Sequence, residues 1–302
     1  MTNDLHPPVL AIDVGGTKLA AGILSADDTL NNRAEVPTLA AEGAPAILGR
    51  LIGLAKGVIA SSPEKPVAVG VASAGQIEPT TGDVIFATDN LPGWTGLPLG
   101  RLMSEALDLP VFVENDVNAF ALAEAQLGAG RGYRHQLLVA VGTGVGGGVI
   151  VDGRLYSGDK GRGGEVGHVC VVQGGRPCTC GQIGCLESYV GTRVMLPNSG
   201  YASMRELAQH YLAGETIPAV DEATLWLGRG LAIAAHMLGP EVLLVGGSIG
   251  LLGERYLADV RRSYEIAAMK SYRNISILPT QLGADSGLLG GGVYARQRVS
   301  EQ

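Results

Sequence analysis

The sequence has no apolar run that approaches the length of a membrane span, and its opening Met-Thr-Asn-Asp-Leu-His-Pro-Pro is not a secretory leader. Both absences predict a cytoplasmic chain with no membrane partner. Basic clusters are missing too: Arg261-Arg262 stands alone in a chain of formal net charge -7, which argues against a nucleic-acid surface. Cysteine is scarce, with four residues in 302, and all four fall between residues 165 and 187. That distribution argues against a scaffold held by disulfides. What is abundant is glycine, 46 residues, about twice the ordinary share and gathered in short clusters rather than spread as low complexity. At 46% apolar residues, the chain is long enough for one large or two medium domains with proper cores.

The cysteines define the most informative stretch. Cys178, Cys180 and Cys185 read C-x-C-x4-C, and His168 lies ten residues upstream of the first. Three thiolates and an imidazole suit tetrahedral zinc, whereas reduced surface thiols or a single disulfide are the plainer account of the same residues. Cys170 follows His168 by two in a β-like run, Val169 to Val172, so it is expected on the histidine's face, as a buried bystander or a competing ligand. Glu165 and Glu187 bracket the stretch. Metal on one ring nitrogen would aim His168 rigidly and leave the other nitrogen to donate a hydrogen bond, so a closed zinc site here braces a polar pocket rather than supplying a catalytic metal.

Glycine turns follow three apolar strands. Val9 to Asp13 runs into Val14-Gly-Gly-Thr-Lys18 and a second strand, Leu19 to Leu24. Such a turn presents several backbone N–H groups to one point, which suits phosphate, although a plain tight hairpin uses the same residues. Asp13 at the strand end is placed to hold Mg2+ or its water. Leu137 to Val141 repeats the pattern, with Gly142-Thr-Gly-Val-Gly-Gly-Gly148 as the loop and Val149 to Val151 as the next strand, which suggests an internal duplication. Glu241 to Val245 into Gly246-Gly-Ser-Ile-Gly250 is a third case, equally readable as a strand-to-helix turn. Leu109 to Val113 ends in Glu114-Asn115-Asp116 before an alanine-rich helix over 117–127; polar residues there mark the ligand end of an open α/β sheet, and Asp116 alone would also serve as a helix cap. Helices are expected over 46–59, 99–107, 204–212, 225–238, 253–269 and 288–297, with one starting in 186–190, and strands over 67–73 and 275–278. This alternation gives an α/β class. Trp94 is read chiefly as a packing residue, and His6, His135, His210 and His236 as solvated or core histidines.

Taken together, Ile12-Asp-Val-Gly-Gly-Thr-Lys18, Glu114-Asn-Asp-Val-Asn118, Gly142-Thr-Gly-Val-Gly-Gly-Gly148, Glu165-Val-Gly-His168, Cys178-Thr-Cys-Gly-Gln-Ile-Gly-Cys-Leu-Glu187 and Val245-Gly-Gly-Ser248 resemble the ROK family of sugar kinases over nearly the whole chain. The resemblance implies a duplicated two-lobe, actin-like (ribonuclease H-like) ATPase fold with a zinc loop, ATP in the cleft and the sugar near the hinge. On that basis residues 1–116, completed by a helix over 288–302, form the N-terminal lobe, and 117–287 the C-terminal lobe with the zinc loop at 168–185. Asp13, Gly15, Gly16, Thr17 and Lys18 match the first phosphate loop, Thr143 and Gly144 the second, and Gly246 and Gly247 the adenosine-side loop. Asp116 matches the catalytic base, and Asn115, Glu165, His168 and Glu187 the sugar-hydroxyl ligands, with His168 also on zinc beside Cys178, Cys180 and Cys185. The implied cofactors are ATP, Mg2+ and a structural Zn2+, and the implied assembly is a homodimer.

Ala72-Ser73-Ala-Gly75-Gln-Ile77, Asn90-Leu-Pro-Gly-Trp94, Gly246 to Leu251 and Asp285 to Gly290 look most like bacterial N-acetylmannosamine kinases, and Ser73, Gly75 and Asn90 join the expected sugar site on that ground. A smaller turn after residue 73 leaves space for a 2-acetamido group. Some of those kinases lack the glutamates that stand here at 114 and 165, and Glu165 pulls the other way, toward glucose. A third class, the family's sugar-responsive repressors, is disfavoured because a dozen residues before Asp13 leave no room for a helix-turn-helix.

Overall fold

The computed structural model describes residues 6–301, which form two compact units. Among the described residues, unit 1 takes in 6–127, 157–163 and 282–301, and unit 2 takes in 128–156 and 164–281.

Unit 1 is built on β1 (Val9–Val14), β2 (Lys18–Leu24), β3 (Leu30–Pro37), β4 (Val69–Ser73) and β7 (Val111–Asn115), with the short hairpin β5 (Gln76–Ile77) and β6 (Val84–Phe86) apart from the main sheet. The sheet order is β3-β2-β1-β4-β7, antiparallel on the β3 side and parallel from β1 onward. The central strands are apolar throughout because both faces are covered. Helices α1 (Ala44–Ser61) and α2 (Leu99–Leu107) cover part of it, burying Ile47, Leu51, Val58, Leu99 and Met103 with Ile12, Val71 and Trp94. By length and composition α1 meets the criteria for a membrane span, against the expectation of no such run. Its Ala44, Ile47, Leu51, Ala55 and Val58 are nonetheless buried at helical spacing, the signature of a core helix. The α3 helix (Asp116–Leu127) and the C-terminal helix (Ser286–Ser300) pack together, the latter against β4 so closely that a Cβ on Gly70 would lie 1.8 Å from the Gly291 carbonyl oxygen. Only glycine permits that approach.

Unit 2 repeats the arrangement. Strands β8 (Gln136–Val141), β9 (Val145–Val151), β10 (Arg154–Leu155), β11 (Val242–Gly247) and β12 (Ser276–Pro279) lie in the order β10-β9-β8-β11-β12, again antiparallel on one side and parallel on the other. Its helices are α4 (Glu187–Val190), α5 (Thr192–Ser199), α6 (Met204–Leu212), α7 (Pro218–Leu238) and α8 (Gly253–Ala267), and α7 packs on α8 over a core of Leu227, Leu231, Val260 and Tyr264.

Three expectations are corrected. Gly146, Gly147 and Gly148 belong to β9, not to a loop, so the second turn is confined to residues 142–144. Residues 166–168 form a 3-10 turn and 169–172 form no strand; Cys170 meets Cys185 in an isolated bridge and is exposed rather than buried. The edge strand β3 was not expected, because Leu-Asn-Asn-Arg-Ala-Glu-Val-Pro is polar and largely solvent-facing, as an edge strand should be.

Candidate active site

In unit 1 the polar groups collect at the ends of β1, β4 and β7. The first glycine turn closes with the Gly15 N–H donating to the Lys18 carbonyl at 3.0 Å, and Thr38 fixes it from the side, its Oγ1 donating to the Gly15 carbonyl at 2.6 Å. Gly16 and Thr17 at the tip are exposed, which leaves their amides facing solvent or a ligand. Lys18 Nζ lies 3.5 Å from Glu35. Asn90 is exposed and its Cβ stands 3.7 Å from where a Gly16 side chain would begin, so the loop carrying Asn90 lies against the turn.

Asp13 and Asp116 share this corner. Burial first, and then the Asp116 charge, lifts the Asp13 carboxyl to about 6. Burial likewise lifts Asp116 to about 6, against the pull of hydrogen bonds from Val117 and Asn115. Those bonds fall on a single oxygen: Asp116 Oδ1 accepts from the Val117 N–H at 2.9 Å and from Asn115 Nδ2 at 3.0 Å. The carboxylate is thereby oriented through Oδ1. Asn115 is fixed in its turn, donating from Nδ2 to the Gly75 carbonyl at 2.8 Å and capping α3 by accepting the Val117 and Asn118 N–H groups at 2.9 and 3.1 Å. Asn115 thus both caps α3 and orients the Asp116 carboxylate. Ser73 is fully buried and its Oγ accepts from Trp94 Nε1 at 3.1 Å, so it holds the packed indole rather than facing solvent.

In unit 2 the Glu165–His168 turn sits directly on β9. A Cβ on Gly167 would lie 2.0 Å from the Val145 carbonyl oxygen and one on Gly147 would lie 2.5 Å from that of Gly164, so the glycines on both sides make this contact possible. Glu187 stands behind the second turn: its Oε2 accepts the Val145 N–H at 3.0 Å, and its Oε1 accepts from Thr179 Oγ1 at 3.0 Å. Thr143 is exposed at the tip, and the turn is tied to the start of α5 by the Thr192 N–H donating to the Gly142 carbonyl at 2.8 Å. Gly246 and Gly247 lie beside it, paired in parallel register with Ala140 and Val141, and Ser248 Oγ donates to the Val141 carbonyl at 3.2 Å.

His168 and three of the cysteines converge on one point. One ligand atom from each of His168, Cys178, Cys180 and Cys185 falls within 4.8 Å of the others. Cys180 Sγ is 3.7 Å from Cys185 Sγ and Cys178 Sγ is 3.6 Å from His168 Nδ1, close to the roughly 3.8 Å edge of a tetrahedron with zinc–sulfur bonds of about 2.3 Å. The residues thus fit zinc through Nδ1, with Nε2 directed toward Glu165 Oε2 at 4.0 Å. Burial opposes ionisation of Cys178, but hydrogen bonds from Cys180, Ser188 and His168 prevail and draw it down to about 7, whereas burial and the neighbouring thiols push Cys185 up to about 12. A cation is what lets such a set ionise together. Cys170 lies outside the group.

Residues 9–298 match the ROK family over most of the sequence. The chain belongs to the ROK family. This ROK chain is 31% identical to the glucokinase of Halalkalibacterium halodurans, covering 96% of its own length and 95% of that protein's. It is 32% identical to the N-acetylmannosamine kinase of Escherichia fergusonii, with 95% and 98% covered. It matches the structure of a ROK family glucokinase from Streptomyces griseus in complex with glucose and AMPPNP at a TM-score of 0.83 and 29% identity, covering 96% of this chain and 99% of that one. Its fold is the actin-like ATPase fold of ROK sugar kinases.

Of the residues expected to bind sugar, Ser73, Gly75, Asn90 and Asn115 belong to unit 1 and Glu165, His168 and Glu187 to unit 2. Sequence reasoning passed over Thr38, which fixes the first turn of the ROK chain, and Ser157, whose Oγ donates to Glu114 Oε2 at 2.9 Å. Neither carries a local signal, since each acts on a partner distant in sequence.

Proposed function

We propose that this ROK chain is an ATP-dependent sugar kinase that transfers the γ-phosphate to the 6-hydroxyl of N-acetylmannosamine. The observation that carries the reaction type is Asp116: a partly buried carboxylate whose Oδ1 is held by two donors and whose Oδ2 is free to accept a hydroxyl hydrogen bond. Phosphoryl transfer asks chiefly for positioning and neutralisation of charge, so a base that orients the hydroxyl and takes its proton late is sufficient. Asn115, Glu165, His168 and Glu187 would hold the other hydroxyls. The exposed amides of the first turn, with Thr17 and Lys18, the Thr143-Gly144 turn and the Gly246-Gly247 pair would bind ATP. Asp13, with its oxygen ligands, suits Mg2+, which when bound neutralises the phosphates. Zinc on the Cys3His cluster would hold His168 and, through the shared loop, Glu187.

For the sugar, the turn after β4 supports a 2-acetamido group. With the Ser73 hydroxyl committed to Trp94, Ala74 and Gly75 offer only a methyl and backbone. Glucose is favoured instead by Glu165, whose side chain is 60% exposed and available to a sugar hydroxyl. ADP release measured with N-acetylmannosamine, glucose and N-acetylglucosamine decides between them: the highest kcat/KM is expected for N-acetylmannosamine. A higher value for glucose transfers the assignment to it, and no turnover with any hexose or N-acetylhexosamine ends the kinase reading. The two units are the lobes in this account, and exposed Met237, Ile266 and Met269 are apolar side chains that a homodimer through unit 2 would cover, which sedimentation equilibrium checks.

A further inference from the structure

We infer that Glu114 is a positioning residue for the Asn115–Asp116 pair, acting by fastening three separate pieces of unit 1 to one buried carboxylate; this role rests on the kinase reading above. Glu114 is the penultimate residue of β7, with 0% of its surface exposed. A carboxylate in that position is costly unless its lone pairs are taken. Here they are taken by neutral donors: Oε1 accepts the Asn115 N–H at 2.8 Å and Asn118 Nδ2 at 3.0 Å, and Oε2 accepts Ser157 Oγ at 2.9 Å.

Each donor belongs to a different piece. The Asn115 amide fixes the backbone of the residue whose side chain orients Asp116 and reaches Gly75. Asn118 stands in the first turn of α3 and is spent on this contact, its own Oδ1 being buried without a hydrogen-bond partner. Ser157 opens the segment 157–163, which belongs to unit 1 although the chain on either side of it belongs to unit 2. That segment is seated firmly. Gln76 Nε2 donates to the Lys160 carbonyl at 3.3 Å, and a Cβ on Gly161 would lie 2.0 Å from the Ile77 carbonyl oxygen. The other return of the chain into unit 1 is held in the same manner, the fully buried Glu124 accepting the Leu282 N–H at 2.8 Å. Glu114 thus joins the strand that carries the pair, the helix that the pair caps and the segment where the chain re-enters the unit. Its oxygens touch none of the reacting atoms in this account; they decide where Asn115 and Asp116 stand.

The test uses the full chain and the sugar that the wild type phosphorylates best, with rates expressed per folded molecule from circular dichroism. Glu114→Ala is expected to lower kcat at least thirtyfold and raise the sugar KM about fivefold, with the ATP KM within twofold of wild type. Glu114→Gln is expected to recover kcat to within fivefold, because its amide oxygen keeps the Asn115 and Asn118 donors while its NH2 donates to the Ser157 hydroxyl. Should Glu114→Ala fail to fold, Glu114→Gln combined with Ser157→Ala removes that acceptor and is expected to cost a further tenfold in kcat/KM for the sugar. The role is overturned if Glu114→Ala keeps kcat within threefold and both KM values unchanged, if Glu114→Gln is as impaired as Glu114→Ala, or if the double variant equals Glu114→Gln alone. A wild type that phosphorylates no sugar overturns the kinase reading and this role with it, whereas with an active wild type a failure of these variants overturns the role of Glu114 alone.

Discussion

The two sheets share one strand order and differ in what stands at their ends. In unit 1, β1 ends beside Asp13, and β7 ends in Glu114 and Asn115 and passes directly into Asp116; burial raises the carboxyls of Asp13 and Asp116 to about 6. In unit 2, β8 ends in Val141 before a turn of Gly142, Thr143 and Gly144, and β12, which takes the place of β7, ends at Pro279 and is followed by Thr280 and Gln281 rather than by acids. The carboxylate that stands against the second turn, Glu187, comes from the end of the cysteine loop. One frame therefore carries two kinds of equipment. Unit 1 sacrifices stability to keep ionisable groups half out of water, and unit 2 supplies backbone donors and backs them with the cysteine loop.

The comparison breaks first at Asp116. Asp116→Asn is expected to lower kcat by roughly 10²–10⁴-fold, and retained turnover above about a hundredth of normal would remove the base from unit 1. The same variant should stabilise the fold. A carboxyl raised from 3.8 to about 6 in the folded chain loses its contribution as pH rises through that window, so at pH 7.5 the ionised group is a burden of about 1–3 kcal/mol that asparagine lifts. Thermal unfolding at pH 7.5 reads this as a higher Tm for the variant.

Unit 2 should respond to metal instead. One zinc per chain is expected by elemental analysis, and chelation or Cys180→Ser should lower kcat/KM for the sugar by roughly 10–100-fold, while hydrogen exchange in the strands of unit 1 stays unchanged. A smaller effect is expected from Gly167→Ala, whose new methyl meets the Val145 carbonyl; displacement of the Glu165–His168 turn should cost about 2–3 kcal/mol in denaturant unfolding and raise the sugar KM. The smallest belongs to Thr38→Val, which removes one hydrogen bond from the first glycine turn, worth about 1 kcal/mol, and should raise the ATP KM a few-fold with kcat little changed.

The glycine turns, the C-x-C-x4-C loop and the polar end of β7 were legible because each is a local device: a tight turn, a ligand set or a cap writes its chemistry into neighbouring residues. The helices at 99–107 and 204–212 were legible to the residue. What was not legible depends on partners far away in sequence. Gly146 to Gly148 read as loop because nothing nearby announces that residues 164–167 will press on β9 and require glycine at 147. Helix α7 begins at Pro218, not at 225: Asp221, Glu222 and Thr224 interrupt the apolar run, yet Ala219, Val220, Ala223 and Thr224 itself are buried at the same helical spacing as the residues that follow. Ser157 gave no sign of its bond to Glu114, 43 residues away.

The most direct test of the central claim, that a carboxylate kept high by burial in unit 1 accepts the sugar proton, is the pH dependence of kcat/KM for the sugar at saturating ATP and Mg2+. Only the ionised base works, so the account predicts activity that is full above pH 7 and falls about tenfold per unit below an apparent pKa of about 6, a limb absent from the residual activity of Asp116→Asn. A profile that stays flat from pH 7.5 down to 5, or one that Asp116→Asn leaves unaltered, would contradict it.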